Sequence, residues 1–123
     1  MPKSHRIPDA DSLSALTQFD LHPRMADLTG ITLVAFTAEA CGACRHLRQV
    51  LHQLTGQEPE WHVFEIDAER EQALTNEFEV FHLPTIFLFV DGQYHCQLHA
   101  EARPRSIVCA VHAALQQPAV EAP

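Results

Sequence analysis

Basic residues are scarce in this 123-residue chain: Lys and Arg number 8 against 16 Asp and Glu, giving a formal net charge of -8. That balance argues against non-specific nucleic-acid binding and against a polybasic membrane patch. Long apolar runs are missing too. No stretch approaches the length needed to span a bilayer, and the opening Met1-Pro2-Lys3-Ser4-His5-Arg6-Ile7-Pro8-Asp9 has no apolar core of the kind a secretory signal carries. A cytoplasmic protein is expected, with neither nucleic acid nor membrane among its partners. Internal repeats, low-complexity tracts and dividing linkers are also lacking. One domain over 1–123 is therefore expected, with 1–10 and 117–123 as flexible ends. Cysteine is limited to 4 residues, which in a reducing compartment read as thiols with a catalytic pair among them rather than as two structural disulfides. What is present is a hydrophobic fraction of 46%, enough for a real core.

The pair in question is Cys41-Gly42-Ala43-Cys44, directly after the apolar run Ile31-Thr32-Leu33-Val34-Ala35-Phe36 and at the head of a helix-patterned segment. A strand that delivers two cysteines to a helix N-terminus sets the first thiol among unpaired backbone N–H groups and the helix dipole, which favour a thiolate. Cys41 is the expected nucleophile. Cys44 comes round within one helical turn, close enough to attack a mixed disulfide on Cys41 and release the substrate. The competing readings are half a zinc site or simple buried thiols. Zinc lacks a second ligand pair of proper spacing, and haem attachment is excluded because Arg45 stands where the histidine would be needed.

The rest of the pattern supplies a context. Asp11 to Phe19 reads as a short helix with Leu13, Leu16 and Phe19 on one side and Asp11 or Ser12 as cap. Pro23 opens a short turn through Leu28, Gly30 breaks it, and a strand follows at 31–37. From Cys41 to Leu54 the residues Leu47, Val50, Leu51 and Leu54 form an apolar stripe, with Arg45, Arg48, Gln49 and His52 left for the outer face, and Gly56 and Pro59 end the helix. Trp61 to Asp67 alternates as a second strand, which predicts a parallel pair with a right-handed crossover. A further helix over Glu69 to Phe78 presents Ala73, Leu74 and Phe78 to the sheet. His82-Leu83-Pro84-Thr85 then leads into the buried strand Ile86-Phe87-Leu88-Phe89-Val90. Asp91-Gly92 signals a hairpin into Gln93 to His99, and a last helix runs from about Pro104 to Gln116.

Strand, Cys-Gly-Ala-Cys, helix, strand, helix, Leu-Pro-Thr, strand, Asp-Gly hairpin, strand and helix together resemble the thioredoxin family over roughly 31–116. The resemblance implies an α/β thioredoxin fold, a central mixed sheet with helices on both faces. It implies a cis peptide bond at Pro84, facing the cysteine pair, and backbone there that holds an extended substrate; Leu83, Pro84, Thr85, Gly42 and Ala43 are the expected substrate contacts. Two departures touch the active surface. Ala40 stands where the family usually has Trp and Ala43 where it usually has Pro, which predicts a flatter platform and a potential less strongly reducing than usual. The family's buried acid falls on Ala35 and its lysine partner on Val63, so the pair is missing together. Glu39 or His82 would then serve in taking the proton from Cys44.

The remaining candidates are Cys96, Cys109 and the histidines. Cys96 reads as a small buried hydrophobe; a second disulfide with Cys109 is conceivable. On the last helix Ile107, Ala110, Val111, Ala114 and Leu115 make the core stripe, leaving Val108 exposed beside Cys109 as a hint of a partner or dimer surface. His95 and His99 share a strand face with Gln97 between them, an arrangement open to adventitious metal, although no resident metal is expected. The overall expectation is a thiol-disulfide oxidoreductase that reduces disulfides in client proteins. By resemblance it is recharged by an upstream thiol donor or flavin reductase, needs no cofactor of its own, and is a monomer or weak dimer. The alternatives are a more oxidising exchanger or isomerase, and a thioredoxin-fold binding module without redox turnover.

Overall fold

The computed structural model describes residues 13–123, so the expected flexible segment 1–10 and the cap residues Asp11 and Ser12 lie outside the described residues. In chain order the elements are β1 (Ser14–Ala15), α1 (Leu21–Ala26), β2 (Ile31–Thr37), α2 (Gly42–Gln57), β3 (His62–Asp67), α3 (Gln72–Glu77), β4 (Thr85–Val90), β5 (Gln93–Leu98) and α4 (Pro104–Leu115). The sheet order is β1-β3-β2-β4-β5. β1, β3 and β2 are mutually parallel, and β4 and β5 continue the sheet antiparallel.

β2 lies at the centre of this sheet and is covered on both faces, which is why its sequence is an almost unbroken apolar run rather than an alternation. Val34 and Phe36 enter a core closed by Leu21 and Met25 of α1 and Leu74 of α3. Leu33 and Ala35 enter the opposite core, closed by Leu47, Val50, Leu51 and Leu54 of α2 and by Ile107 and Val111 of α4. The stripe expected for α2, and Ile107 and Val111 of the stripe expected for α4, therefore point as their spacing implies.

The expected helix over Asp11 to Phe19 is wrong. Residues 14 and 15 form a parallel strand whose partners on β3 are Phe64 and Glu65, and the Leu16 N–H continues it to the Glu65 carbonyl at 2.9 Å. The consequence is visible in packing: Leu16 is buried in the α1/α3 core, whereas Leu13 packs against the α2/α4 core. A helix would have set both on one side, but the strand sends them through opposite faces. Phe19 is left 78% exposed.

Smaller corrections follow the same logic. α2 runs past Gly56 to Gln57, and the Glu58 N–H still reaches Leu54. Ala73 is exposed, and Leu74 with Phe78 carries the buried face of the α3 region. Val108 is half-buried against the α2/α4 core rather than exposed, and Leu115, expected inside, is 39% exposed. The α3 helix ends in a Schellman arrangement, with Val80 N–H on Thr75 and Glu79 N–H on Asn76, and Glu79 in the left-handed region at φ 53°. At the hairpin Asp91 and Gly92 both have positive φ, 52° and 78°, as a type I′ turn needs. Gly92 also packs so close to Met25 that a Cβ would strike the Met25 carbonyl. The segment 117–123 is exposed, and its Val120 N–H donates to the His95 carbonyl at 2.8 Å.

Candidate active site

Three residues, Ala38 to Ala40, join β2 to the cysteine motif. Cys41 is the N-cap of α2, with extended backbone (φ -137°, ψ 110°), and its sulfur accepts the Cys44 N–H at 3.2 Å. That N–H belongs to the first turn, where the helix has no partner of its own to offer. Cys41 and Cys44 are disulfide-bonded with Cα atoms 5.2 Å apart. Exposure separates them: Cys44 is fully buried, Cys41 only partly, and Gly42 and Ala43 lie open on the surface between. Only one of the two sulfurs can therefore meet a large disulfide substrate from solution. When the pair is reduced, the same N–H and the start of the 16-residue helix favour negative charge on Cys41.

The Leu83–Pro84 peptide bond is cis. A groove of about 280 Å³ includes Pro84 and Thr85, with Leu47 of α2, Ile86 of β4, Leu98 of β5 and Ala102 of the loop before α4 among its walls. Two hydrogen bonds shape it. Thr85 Oγ1 donates to the His82 carbonyl at 2.6 Å, and His46 Nε2 donates to the Ala102 carbonyl at 3.1 Å, tying the first turn of α2 to the loop before α4. Leu83 and Phe81 are exposed at the approach to Pro84, by 36% and 83%.

Glu39 and His82 are both exposed, and neither side chain is hydrogen-bonded to Cys44 among the described residues. The carboxylate that does lie under α2 is Glu65. On β3 it pairs in register with Ala35, so it stands one strand away from the position that the family resemblance assigns to a buried acid, on the same face of the sheet. Its Oε2 accepts from Thr37 Oγ1 at 2.6 Å, from Arg48 Nε at 2.8 Å and from Arg48 Nη2 at 2.6 Å. Arg48 follows Cys44 by one helical turn on α2. The outer-face assignment of Arg48 is thus corrected: its side chain is 24% exposed, drawn inward by the carboxylate. The signal was in the alternation of β3, where Glu65 falls on the same inward side as Val63, and a charge at an inward position requires a partner.

Cys96 and Cys109 are free. Cys96 is half-buried against the α2/α4 core and burial pushes its thiol up, whereas Cys109 is exposed on α4. The β4–β5 register steps from Leu88↔Cys96 to Phe89↔Tyr94, leaving His95 as an extra, bulged residue whose ring donates to the Ala114 carbonyl at 2.8 Å. His99 lies beyond the end of β5, so the expected shared strand face of His95 and His99 does not form. Among the described residues no cluster of three His, Cys, Asp or Glu side chains could hold a metal.

The family model for thioredoxin matches residues 13–113, most of the chain. The chain belongs to the thioredoxin family. Among its relatives, the thioredoxin of Chlamydia pneumoniae is 36% identical over 64 residues, 52% of this chain and 63% of that protein. The thioredoxin of Chlamydia trachomatis is 32% identical over 65 residues, 53% of this chain. The chain thus spans a little under two thirds of the length of these relatives, 63% and 64%. The thioredoxin fold extends further than the sequence likeness. Oxidised mitochondrial thioredoxin 3 from Saccharomyces cerevisiae superposes with a TM-score of 0.74 at 21% identity, over 86% of this chain and 99% of that one. Thioredoxin from Trypanosoma brucei brucei gives 0.71 at 17% identity, over 91% and 99%.

Proposed function

We propose that this thioredoxin-family chain is a thiol-disulfide oxidoreductase that reduces disulfides in other proteins. The observation that carries the reading is the pairing of one accessible sulfur at the N-cap of α2 with one fully buried sulfur a turn later. Cys41 thiolate attacks one sulfur of a client disulfide, forming a mixed disulfide and expelling the other client sulfur as a thiolate. Cys44 thiolate then attacks Cys41 Sγ, closing the Cys41–Cys44 disulfide and releasing the second client thiolate. Two electrons pass from the dithiol to the client, and an external thiol donor or flavin reductase returns them. Leu83, Pro84 and Thr85, with Gly42 and Ala43, line up the client's extended backbone. Glu39 and His82, both open to solvent, exchange the protons with water. The site of action is the cytoplasm, where the dithiol state is maintained; among the described residues no helix is long and apolar enough to cross a membrane.

The test is a redox titration of the purified chain in defined thiol buffers, with Cys41 and Cys44 followed by alkylation and mass spectrometry. One reversible two-electron transition in the reducing range is expected. A markedly oxidising midpoint would make the protein an exchanger or isomerase. Absence of a reversible Cys41–Cys44 couple, together with retained function in Cys41→Ala, would leave only a binding module.

A further inference from the structure

The chain has twice as many acidic as basic residues, 16 against 8, and the placement of its arginines is uneven. Arg48 and Arg70 are paired with Glu65 and Asp67, and Arg24 lies over the Phe64 ring. Arg45 and Arg105, in contrast, are exposed and have no carboxylate partner among the described residues, and Arg103 meets Glu101 only at 3.9 Å. These three arginines occupy one region. Arg45 adjoins Cys44 and His46, Arg103 adjoins Ala102, and the His46 to Ala102 hydrogen bond holds the two segments together beside the groove at Pro84. Neither α2 nor α4 has an acidic residue in its first turn, and Arg105 sits in that turn of α4, although helix dipoles favour the opposite charge there. A local preference contradicted in this way, in a chain rich in carboxylates, marks a place where charge is used rather than tolerated. Of the exposed carboxylates, Glu101 meets Arg103, and Glu39 stands two residues before Cys41.

We infer that this surface selects clients by charge: it accepts an extended segment whose disulfide is flanked by carboxylates, with an apolar side chain for the groove. The carboxylates meet Arg45, Arg103 and Arg105, and the apolar residue meets Ile86, Leu98 and the exposed Leu83. This rests on the proposed redox function and adds to it the class of client. The net charge of -8 repels an acidic segment at long range, so the arginines act at contact distance, where moderate salt weakens them less than it weakens the distant carboxylates.

The experiment uses the reduced full chain and three cystine peptides identical except for Glu, Gln or Lys flanks, with exchange followed by alkylation trapping. At about 0.1 M salt, where the distant carboxylates are screened, the Glu peptide is expected to react about tenfold faster than the Lys peptide, an advantage that shrinks toward unity near about 1 M salt as the contact pairs are screened too. Arg103→Glu/Arg105→Glu should invert the order. Acids are favoured at a helix start, so this variant retains α4. Arg70→Glu, a charge change outside the lining of the groove, should keep the Glu preference. Equal rates at about 0.1 M salt, or a Glu preference that survives the double reversal, would overturn the charge selection alone. If no peptide reacts, the Gln peptide included, the redox reading itself falls and takes this inference with it.

Discussion

The α1/α3 side of the sheet packs Phe36, Phe64, Phe78, Phe87 and Phe89 into one cluster with Tyr94 at its margin, whereas the α2/α4 side is filled by Leu, Val, Ile and Ala with Trp61 alone at its edge. Rings lock a core through geometry. Phe78 alone contacts Phe36, Phe87, Phe89 and Tyr94 at centroid separations of 5.8, 5.3, 6.2 and 6.1 Å. The aliphatic side has no comparable set of ring contacts, and it holds the buried Thr37 with the half-buried Glu65 and Arg48, and the helix capped by Cys41. The contrast teaches that this chain keeps its aromatic packing on one face and its chemistry on the other.

That separation can be broken deliberately. Cys41→Ser should reduce disulfide exchange to the uncatalysed background, assayed with a cystine peptide, while its unfolding midpoint in reductant stays near that of the reduced parent, since serine is a good N-cap. Cys44→Ser should instead accumulate the mixed disulfide. On the other face, Phe78→Ala should cost about 3–5 kcal/mol in urea unfolding, with exchange per folded molecule retained. A large loss of specific activity there would show that the two faces are coupled.

The next effect is smaller. Glu65→Ala deprives the half-buried Arg48 of this carboxylate and should cost about 1–3 kcal/mol, whereas the combined Glu65→Leu/Arg48→Met change should recover most of it, since both charges leave the site together. Failure of the double variant to recover would mean that the pair contributes net stability. Alkaline pH probes both faces at once. Burial raises the thiol of Cys96 on the α2/α4 side and the phenol of Tyr94 on the other, the latter also through Cys96. In each case the folded state holds the proton more tightly than the unfolded chain. Their contribution is therefore complete below the ordinary thiol range and declines as pH rises through it, so unfolding free energy should fall in alkaline buffer, and Cys96→Ala should flatten the first part of that fall. The smallest change expected is a gain: Glu79→Gly should stabilise by up to about 1 kcal/mol by relieving a side chain held at positive φ.

Local signals carried far. The spacing of Leu47, Val50, Leu51 and Leu54 gave α2, the apolar run at 31–37 gave β2, and Asp91-Gly92 gave the hairpin, because each is written within a few neighbouring residues. The cysteine motif was legible for the same reason: its chemistry needs only a strand end, a helix start and a two-residue gap. β1 was misread because a two-residue strand has no period of its own, and Leu13 and Leu16 fit a helix as well as they fit opposite faces of a strand. Arg48 was sent outward because its type suggests solvent.

By itself the amino-acid sequence pointed to the Cys41–Cys44 pair, to α2, α4 and the long strands, and to the thioredoxin family; each of these signals is written in residues near in the chain. Tertiary structure alone decided the matters that need distant partners. It set Glu65 opposite Ala35 and drew Arg48 onto it, since a carboxylate on the inward side of a strand must find its donors. It also placed a bulge at His95, which lets Tyr94 join the aromatic face and Cys96 the aliphatic one although they are two residues apart. An extra residue in a strand reverses the facing of all that follows, and only the pairing with β4 fixes where that reversal falls.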